Sequence, residues 1–98
     1  MFSEAIEKLK EGKVVEIRPR GNSMTPKIKS GQLVTLSPVD ADSLKKGDAV
    51  IVKVGRNIYV HLIKALEKNR VLIGNNHGKI NGWTMKSNVY GIVTKVEN

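Results

Sequence analysis

The chain has 98 residues, no cysteine and a formal net charge of +8 at pH 7. Its length is typical of one domain, and we expect residues 1–98 to form a single domain with one modest core. The absence of cysteine excludes disulfides, thiolate metal sites and cysteine nucleophiles, so the chemistry of this chain must use oxygen and nitrogen groups.

The first element in chain order is a predicted helix over residues 3–11. Apolar residues recur there at helical spacing, Ser3 is a typical cap residue, and Gly12 is placed to end the helix. Charges are spread through this segment, so it does not resemble a secretion signal. No apolar run approaches the roughly 20 residues that span a bilayer. We therefore expect a cytoplasmic protein without a transmembrane segment.

From residue 14 onward, short apolar runs separated by turn residues indicate strands. The segments 55–57 and 67–69 are typical of hairpin loops, which predicts an antiparallel meander, and the polar segment 38–48 is expected to be a surface connection. Trp83 is expected to close the edge of the core. The predicted strands are residues 14–18, 33–37, 49–54, 58–66, 70–73 and 89–96. The fold class is therefore mostly β, a small antiparallel rolled sheet or barrel with one short N-terminal helix.

A candidate nucleophile lies in residues 21–26, which read Gly-Asn-Ser-Met-Thr-Pro. Ser23 sits there on tight, exposed backbone, and His61 on a later strand is able to take its proton. A neutral imidazole, whose ordinary pKa is about 6.5, can do so at neutral pH. Structural roles stay open for both residues. Gly, Asn, Ser and Pro are ordinary turn residues, so Ser23 could simply form a turn, and His61 alternates with Tyr59 and Ile63 as a half-buried strand residue does.

Six short segments resemble, in order and spacing, those of the signal peptidase and LexA-like serine peptidase superfamily. They are GNSMTP at 21–26, GQLV at 31–34, KGDAVIV at 46–52, YVH at 59–61, GNN at 74–76 and YGIV at 90–93. The resemblance covers nearly the whole chain after Val14. It implies a serine endopeptidase with Ser23 as nucleophile and His61 in the position of the base. A histidine there resembles the branch of the endoplasmic-reticulum and archaeal signal peptidases, whereas the other branch uses lysine.

The resemblance also implies how the substrate is held. Backbone N–H groups of the loop formed by Gly21, Asn22 and Met24 around Ser23 are expected to provide an oxyanion hole. Gly21 would leave room for the substrate backbone, and Met24 is expected to pack beneath the loop. In the superfamily a peptide or protein substrate lies along a sheet edge as an added strand, so the same is expected here.

Orientation of the imidazole is a further implied role. The superfamily has an aspartate after the glycine at 74 and often a further acid, a few residues on, that orients the base. This chain has Asn75 at the first place and Asn81-Gly82 in the following stretch, and no aspartate follows Asp48. We therefore expect Asn75 or Asn76 to hold the imidazole through its side-chain oxygen. Asp48 is expected to close a turn. His77 is the only other histidine, and two histidines with few acids make a poor metal site, so no metal and no cofactor are expected.

A second class of function fits the same sequence. With 17 basic and 9 acidic residues, the chain would attract nucleic acid, an anionic membrane or an acidic partner. Its lysines are scattered, however, and one Trp, two Tyr and one Phe offer little surface for stacking bases. The alternative hypothesis is a catalytically inactive peptidase fold that binds nucleic acid or an acidic protein, and such binding would weaken steeply with salt.

Overall fold

The computed structural model describes residues 2–98, which form one short helix and a seven-stranded antiparallel sheet. The helix α1 spans Ser3–Lys10, and the strands are β1 Val15–Ile17, β2 Leu33–Pro38, β3 Ala49–Val54, β4 Asn57–Leu66, β5 Arg70–Gly74, β6 Ile80–Met85 and β7 Val89–Glu97. The predicted fold class, mostly β with one N-terminal helix, is confirmed.

Helix α1 agrees with the predicted residues 3–11 to within one residue, but its start differs from the prediction. Phe2 is the N-cap and makes no side-chain hydrogen bond there, so Ser3 is the first helical residue and not the cap. Ile6 and Leu9 are buried and hold the helix on the sheet. Within residues 2–98 no helix has the length and apolarity needed to cross a membrane.

The strand order is β1-β2-β7-β3-β4-β5-β6, with every neighbouring pair antiparallel. Strands β3 to β5 form the predicted meander, which β6 extends by one strand, and Gly55 and Arg56 make the turn between β3 and β4. The hydroxyl of Thr84 in β6 donates a 2.8 Å hydrogen bond to the carbonyl of Lys53 in β3. The sheet is therefore rolled over on itself, while within residues 2–98 its edge strands β1 and β6 are not paired with each other.

Strand β6 is the element that the sequence prediction missed. Its segment contains Asn81 and Gly82 and lacks the alternation of apolar and polar residues that indicates a strand. Trp83 does not close the core, because 38% of its surface is exposed and its ring lies under the guanidinium of Arg70 at 4.8 Å. The segment is extended because it pairs with β5, a long-range contact that leaves no local signal.

Strand β3 is buried on both faces and lies in the middle of the molecule. Val50 and Val52 join Ile63 in one apolar cluster, while Ile51 joins Leu36 in the cluster on the other face. Alternate side chains of a strand point to opposite faces, so a continuous apolar run fits a strand that is covered on both sides.

Two aspartates close the connection between β2 and β3. Asp40 caps the short 3-10 turn Ala41–Ser43 by accepting a 3.0 Å hydrogen bond from the N–H of Asp42. The carboxylate of Asp48 accepts a 2.8 Å hydrogen bond from the N–H of Lys45. The predicted turn-closing role of Asp48 is confirmed, and it sets the start of β3.

We expect Leu36→Ala to lower the free energy of unfolding by about 2–5 kcal/mol, because it leaves a cavity at a fully buried position. The matched control is Leu66→Ala, at a leucine that is 37% exposed. That control should change the free energy of unfolding by about 0.5 kcal/mol or less. Urea denaturation monitored by circular dichroism measures both values. Equal losses in the two variants would contradict the placement of Leu36 in the core.

Candidate active site

The loop between β1 and β2 carries the candidate nucleophile. Met24 and Ile28 are buried beneath the loop, and the N–H of Ile28 donates a 3.0 Å hydrogen bond to the carbonyl of Met24. These two anchors fix the loop against the apolar core while Ser23, next to Met24, is only half-buried. The local sequence therefore holds one hydroxyl at the surface of the core.

Ser23 and His61 meet in the folded chain. Ser23 Oγ lies 3.0 Å from Nε2 of His61, which is on β4 and only 7% exposed. The other ring nitrogen, Nδ1, lies 2.7 Å from Oδ1 of Asn81 on β6. Because an amide oxygen can only accept, Nδ1 carries the proton and donates it to Asn81. The lone pair of Nε2 therefore faces Ser23, whose hydroxyl donates to it.

Asn75 and Asn76 do not orient the imidazole, contrary to the prediction. The side-chain oxygen of Asn75 accepts hydrogen bonds of 2.8 and 3.0 Å from two backbone N–H groups of its own turn. The side-chain nitrogen of Asn76 donates a 2.9 Å hydrogen bond to the carbonyl of Thr25. Strand β6 instead brings Asn81 to the ring. The prediction was wrong because it lacked β6, the strand that returns past the end of β5.

A second set of hydrogen bonds ties the turn after β5 to the loop that bears Ser23. The N–H of Asn76 donates to the carbonyl of Ser23 at 2.9 Å. Nε2 of His77 lies 3.0 Å from the carbonyl of Asn22 and 2.9 Å from Oγ1 of Thr25. Because a carbonyl only accepts, this Nε2 carries a proton, so His77 is a tether and not a base for Thr25. No group of three or more metal-ligating side chains occurs in residues 2–98.

Gly74 allows the turn after β5 to fold tightly. A Cβ at this position would lie 2.6 Å from the backbone carbonyl of Lys79, which accepts a 2.9 Å hydrogen bond from the N–H of Asn75. A larger residue would force the two backbone segments apart. The glycine is therefore needed for the turn 75–79, which carries the tether to the loop and leads to Asn81.

The surroundings of His61 favour its neutral form. Burial lowers the pKa of His61 below its ordinary value, the hydrogen bond to Asn81 opposes this, and the positive charges of Lys79 and Lys64 lower the pKa further. The ring also stacks on Tyr59, with centroids 4.8 Å apart. At neutral pH the imidazole is therefore unprotonated at Nε2 and able to accept a proton.

We expect Asn81→Asp to raise the pKa of His61, because a carboxylate at Nδ1 stabilises the imidazolium more than an amide oxygen does. Histidine Cε1–H signals followed by NMR over a pH titration measure the change. Asn69→Asp, in the exposed turn between β4 and β5, is the matched control and should leave this pKa in place. An unchanged pKa of His61 in the Asn81 variant would contradict the contact between these two side chains.

The Ser23–His61 pair opens onto a groove of about 630 Å³. Met24, Ile28 and Ile58 line the groove with apolar surface. Gly21 has a φ of 108°, and no atom lies within 4 Å of the place where its Cβ would be. This conformation favours glycine, and the open space next to it lets another backbone approach Ser23.

Strand β4 has an open edge at this groove. Strand β5 pairs only with the second half of β4, so among the described residues nothing pairs with 57–61 on that side. The N–H of Ile63 donates a 2.9 Å hydrogen bond to the carbonyl of Asp48, on the β3 side. Backbone groups alternate in direction along a strand, so those of Ile58 and Val60 point to the open edge. A further extended strand can pair there.

Free backbone donors lie next to the hydroxyl. Among residues 2–98, no partner accepts from the N–H groups of Ser23 and Met24. The N–H of Gly21, by contrast, donates to Ser30 Oγ at 3.1 Å, and the carbonyl of Asn22 accepts from the N–H of Thr25 within the loop. The N–H of Gly21 is therefore used within the loop, whereas among residues 2–98 the N–H of Asn22, like those of Ser23 and Met24, has no acceptor.

Comparison with known families gives a match over most of the chain. A family model described as Peptidase S24-like matches residues 2–93 of the chain. The matched range contains Ser23, His61 and Asn81, together with the helix and the first six strands. No curated protein and no solved structure matches the chain.

Proposed function

Because the chain belongs to the Peptidase S24-like family, we propose that it is a serine endopeptidase in which Ser23 is the nucleophile and His61 the general base. Membership confirms the superfamily that the six ordered segments predicted. The observation that carries the proposal is the 3.0 Å contact between Ser23 Oγ and His61 Nε2 at the side of an open groove. In this proposal residues 1–98 act as one peptidase-like domain.

In the proposed first half-reaction, Ser23 Oγ attacks the carbonyl carbon of a peptide bond while Nε2 of His61 takes the hydroxyl proton. The carbonyl oxygen becomes an oxyanion, for which the free N–H groups of Asn22, Ser23 and Met24 in the loop are the proposed donors. The imidazolium then gives its proton to the leaving amine as the carbon–nitrogen bond breaks. The product is an acyl ester on Ser23 and a peptide with a new amino terminus.

In the second half-reaction a water molecule attacks the ester carbonyl, and His61 again serves as the base. The water proton moves to Nε2 and then to Ser23 Oγ as the carbon–oxygen bond to the serine breaks. A carboxylic acid leaves and the free hydroxyl is restored. The two steps together consume one water molecule for each peptide bond.

Asn81 is the proposed positioning residue of this pair. Its carbonyl oxygen, 2.7 Å from Nδ1, holds the tautomer that presents a lone pair to Ser23. An amide lacks the negative charge of an aspartate, so it stabilises the imidazolium less than an aspartate would. The burial of His61 lowers its pKa in addition. We therefore expect a base that stays neutral and active to lower pH, with slower turnover than a serine, histidine and aspartate triad gives.

We place the substrate as an extended strand along the open edge of β4. The backbone groups of Ile58 and Val60 would pair with it, and the scissile carbonyl would then pass Ser23 beside Gly21. Backbone pairing sets the path of the chain, and the apolar groove next to Met24 takes one of its side chains.

Profiling of peptide termini in a proteome digest tests the proposal. The wild-type protein and its Ser23→Ala variant are each incubated with a mixture of unfolded proteins, and new amino termini are identified by mass spectrometry. We expect termini that appear with the wild type alone and that share residues around the cleaved bond. The absence of new termini at every pH from 5 to 9, with circular dichroism showing a folded protein, would refute the proposed activity.

A further inference from the structure

The groove beside Ser23 carries positive charge and no negative charge. Arg18, Arg20 and Lys79 line it, whereas no Asp or Glu does. Arg18 and Arg20 follow the end of β1 and lead into the loop, and Lys79 lies on the turn before β6. Cations therefore stand on two separate segments around the same apolar surface.

These cations have no carboxylate partner within the described residues 2–98. The ion pairs of the structure use other basic side chains, namely Lys8, Lys13, Arg70 and Lys95. Arg18 instead donates a 2.8 Å hydrogen bond from Nη1 to the carbonyl of Gly31, which fixes its guanidinium and leaves its other N–H groups free. The positive charge at the groove is thus not neutralised by the protein itself.

For the binding of an anionic ligand, the location of the positive charges matters more than their number. The net charge of +8 is spread over the whole surface, and a scattered surface charge attracts any anion weakly. Charges of one sign that border an apolar concave surface act together, because the low-dielectric wall concentrates their field in the groove. The groove is lined by Met24, Ile28 and Ile58, so a ligand that matches it combines apolar and anionic groups.

We propose that the groove selects peptides that carry glutamate or aspartate on both sides of an apolar residue at the cleavage site. The inference rests on the proposed function, because it takes the groove to be the peptide-binding site. Each exposed carboxylate–cation pair is expected to improve affinity by up to about fivefold, and several pairs together by about tenfold. This preference weakens at 1 M salt, where the screening length is about 3 Å.

Binding to an inactive variant tests the preference without requiring cleavage. The probes are acetylated and amidated peptides that share one apolar core and carry either glutamates or glutamines on both sides of it. Ser23→Ala protein is titrated with each peptide by isothermal calorimetry at low and high salt. We expect the glutamate peptide to bind about tenfold more tightly at low salt. Equal affinities, or no binding of either peptide, would overturn the inference.

Variants that remove positive charges show which residues cause the preference for glutamate peptides. Arg20→Gln with Lys79→Gln, made in the Ser23→Ala protein, should weaken the affinity for the glutamate peptide more than that for the glutamine peptide, so that only the contribution of Arg18 to the preference remains. Arg56→Gln is the matched control, because Arg56 lies in the β3–β4 turn and outside the groove. A preference of undiminished size in the double variant, or one that is lost in the control, would overturn the assignment of the groove.

Two further results separate the inference from the proposed function. Glutamate-selective binding without cleavage by the wild-type protein would support the inference and count against peptidase activity. Cleavage of both peptides at equal rates would support the activity and overturn the inference. Tighter binding of a single-stranded oligonucleotide than of the glutamate peptide would also overturn it, since the groove would then serve a different class of anion.

Discussion

Ser23→Ala is expected to lower kcat for peptide cleavage by at least about 1000-fold, because no other group can then form the acyl ester. The fold should stay intact, since the methyl group of alanine fits where the serine side chain lies half-buried. The contact that disappears is the 3.0 Å hydrogen bond to His61. Substrate affinity should remain close to that of the wild type, because pairing along β4 does not use the hydroxyl.

Ser87→Ala is the matched control for the loss of a serine hydroxyl. Ser87 is exposed in the short 3-10 turn Lys86–Asn88, away from the groove. Its replacement should leave kcat and KM at wild-type values. Steady-state kinetics on a peptide found by terminus profiling, with circular dichroism of each variant, checks both results. An active Ser23→Ala protein would show that the nucleophile lies elsewhere.

His61→Gln is expected to lower kcat by about 100- to 10,000-fold, the usual contribution of a general base. Glutamine is polar and similar in volume, but it cannot take a proton from Ser23 at neutral pH. The residual rate should also lose the pH dependence of the wild type. In the wild type kcat/KM should rise as pH rises through the pKa of His61, which burial keeps below its ordinary value.

His77→Gln separates the base from the tether. His77 holds the loop through the carbonyl of Asn22 and does not contact the hydroxyl of Ser23. Its loss should reduce kcat by about tenfold through a less ordered loop, a small effect beside the loss of a base. The pH profile should keep its wild-type form. A pH profile that changes in His77→Gln but not in His61→Gln would reverse the roles of the two histidines.

The residues that meet at the site were partly accessible to sequence reasoning. Ser23 could be found because its glycine and proline neighbours mark a tight loop, and His61 because it interrupts an apolar strand pattern. The segments that contain Ser23 and His61, in order with four further segments typical of the superfamily, indicated that superfamily. The strands whose apolar residues are buried on one or both faces were also found, since burial imposes a pattern on the sequence.

Asn81 stands in the stretch where the superfamily often has an acid, but it was not assigned to the imidazole because nothing in the local sequence predicts its strand. It lies on β6, whose strand conformation results from pairing with β5 and not from the preferences of its own residues. Asn75 and Asn76 were favoured instead because they follow a recognised glycine. The structure turns their side chains into the 75–79 turn and toward the loop. The resemblance therefore pointed to the stretch that contains Asn81, and the pairing of β6 with β5 was needed to choose Asn81 over Asn75 and Asn76.

Covalent labelling of Ser23 tests the central claim most directly. The protein is incubated with a fluorophosphonate, in which the serine oxygen would displace fluoride at phosphorus, and the adduct is located by peptide mass spectrometry. We predict an adduct at Ser23, with a rate that rises through the pKa of His61 and falls strongly in His61→Gln. An unlabelled Ser23 in folded protein, or equal labelling with and without His61, would contradict the account.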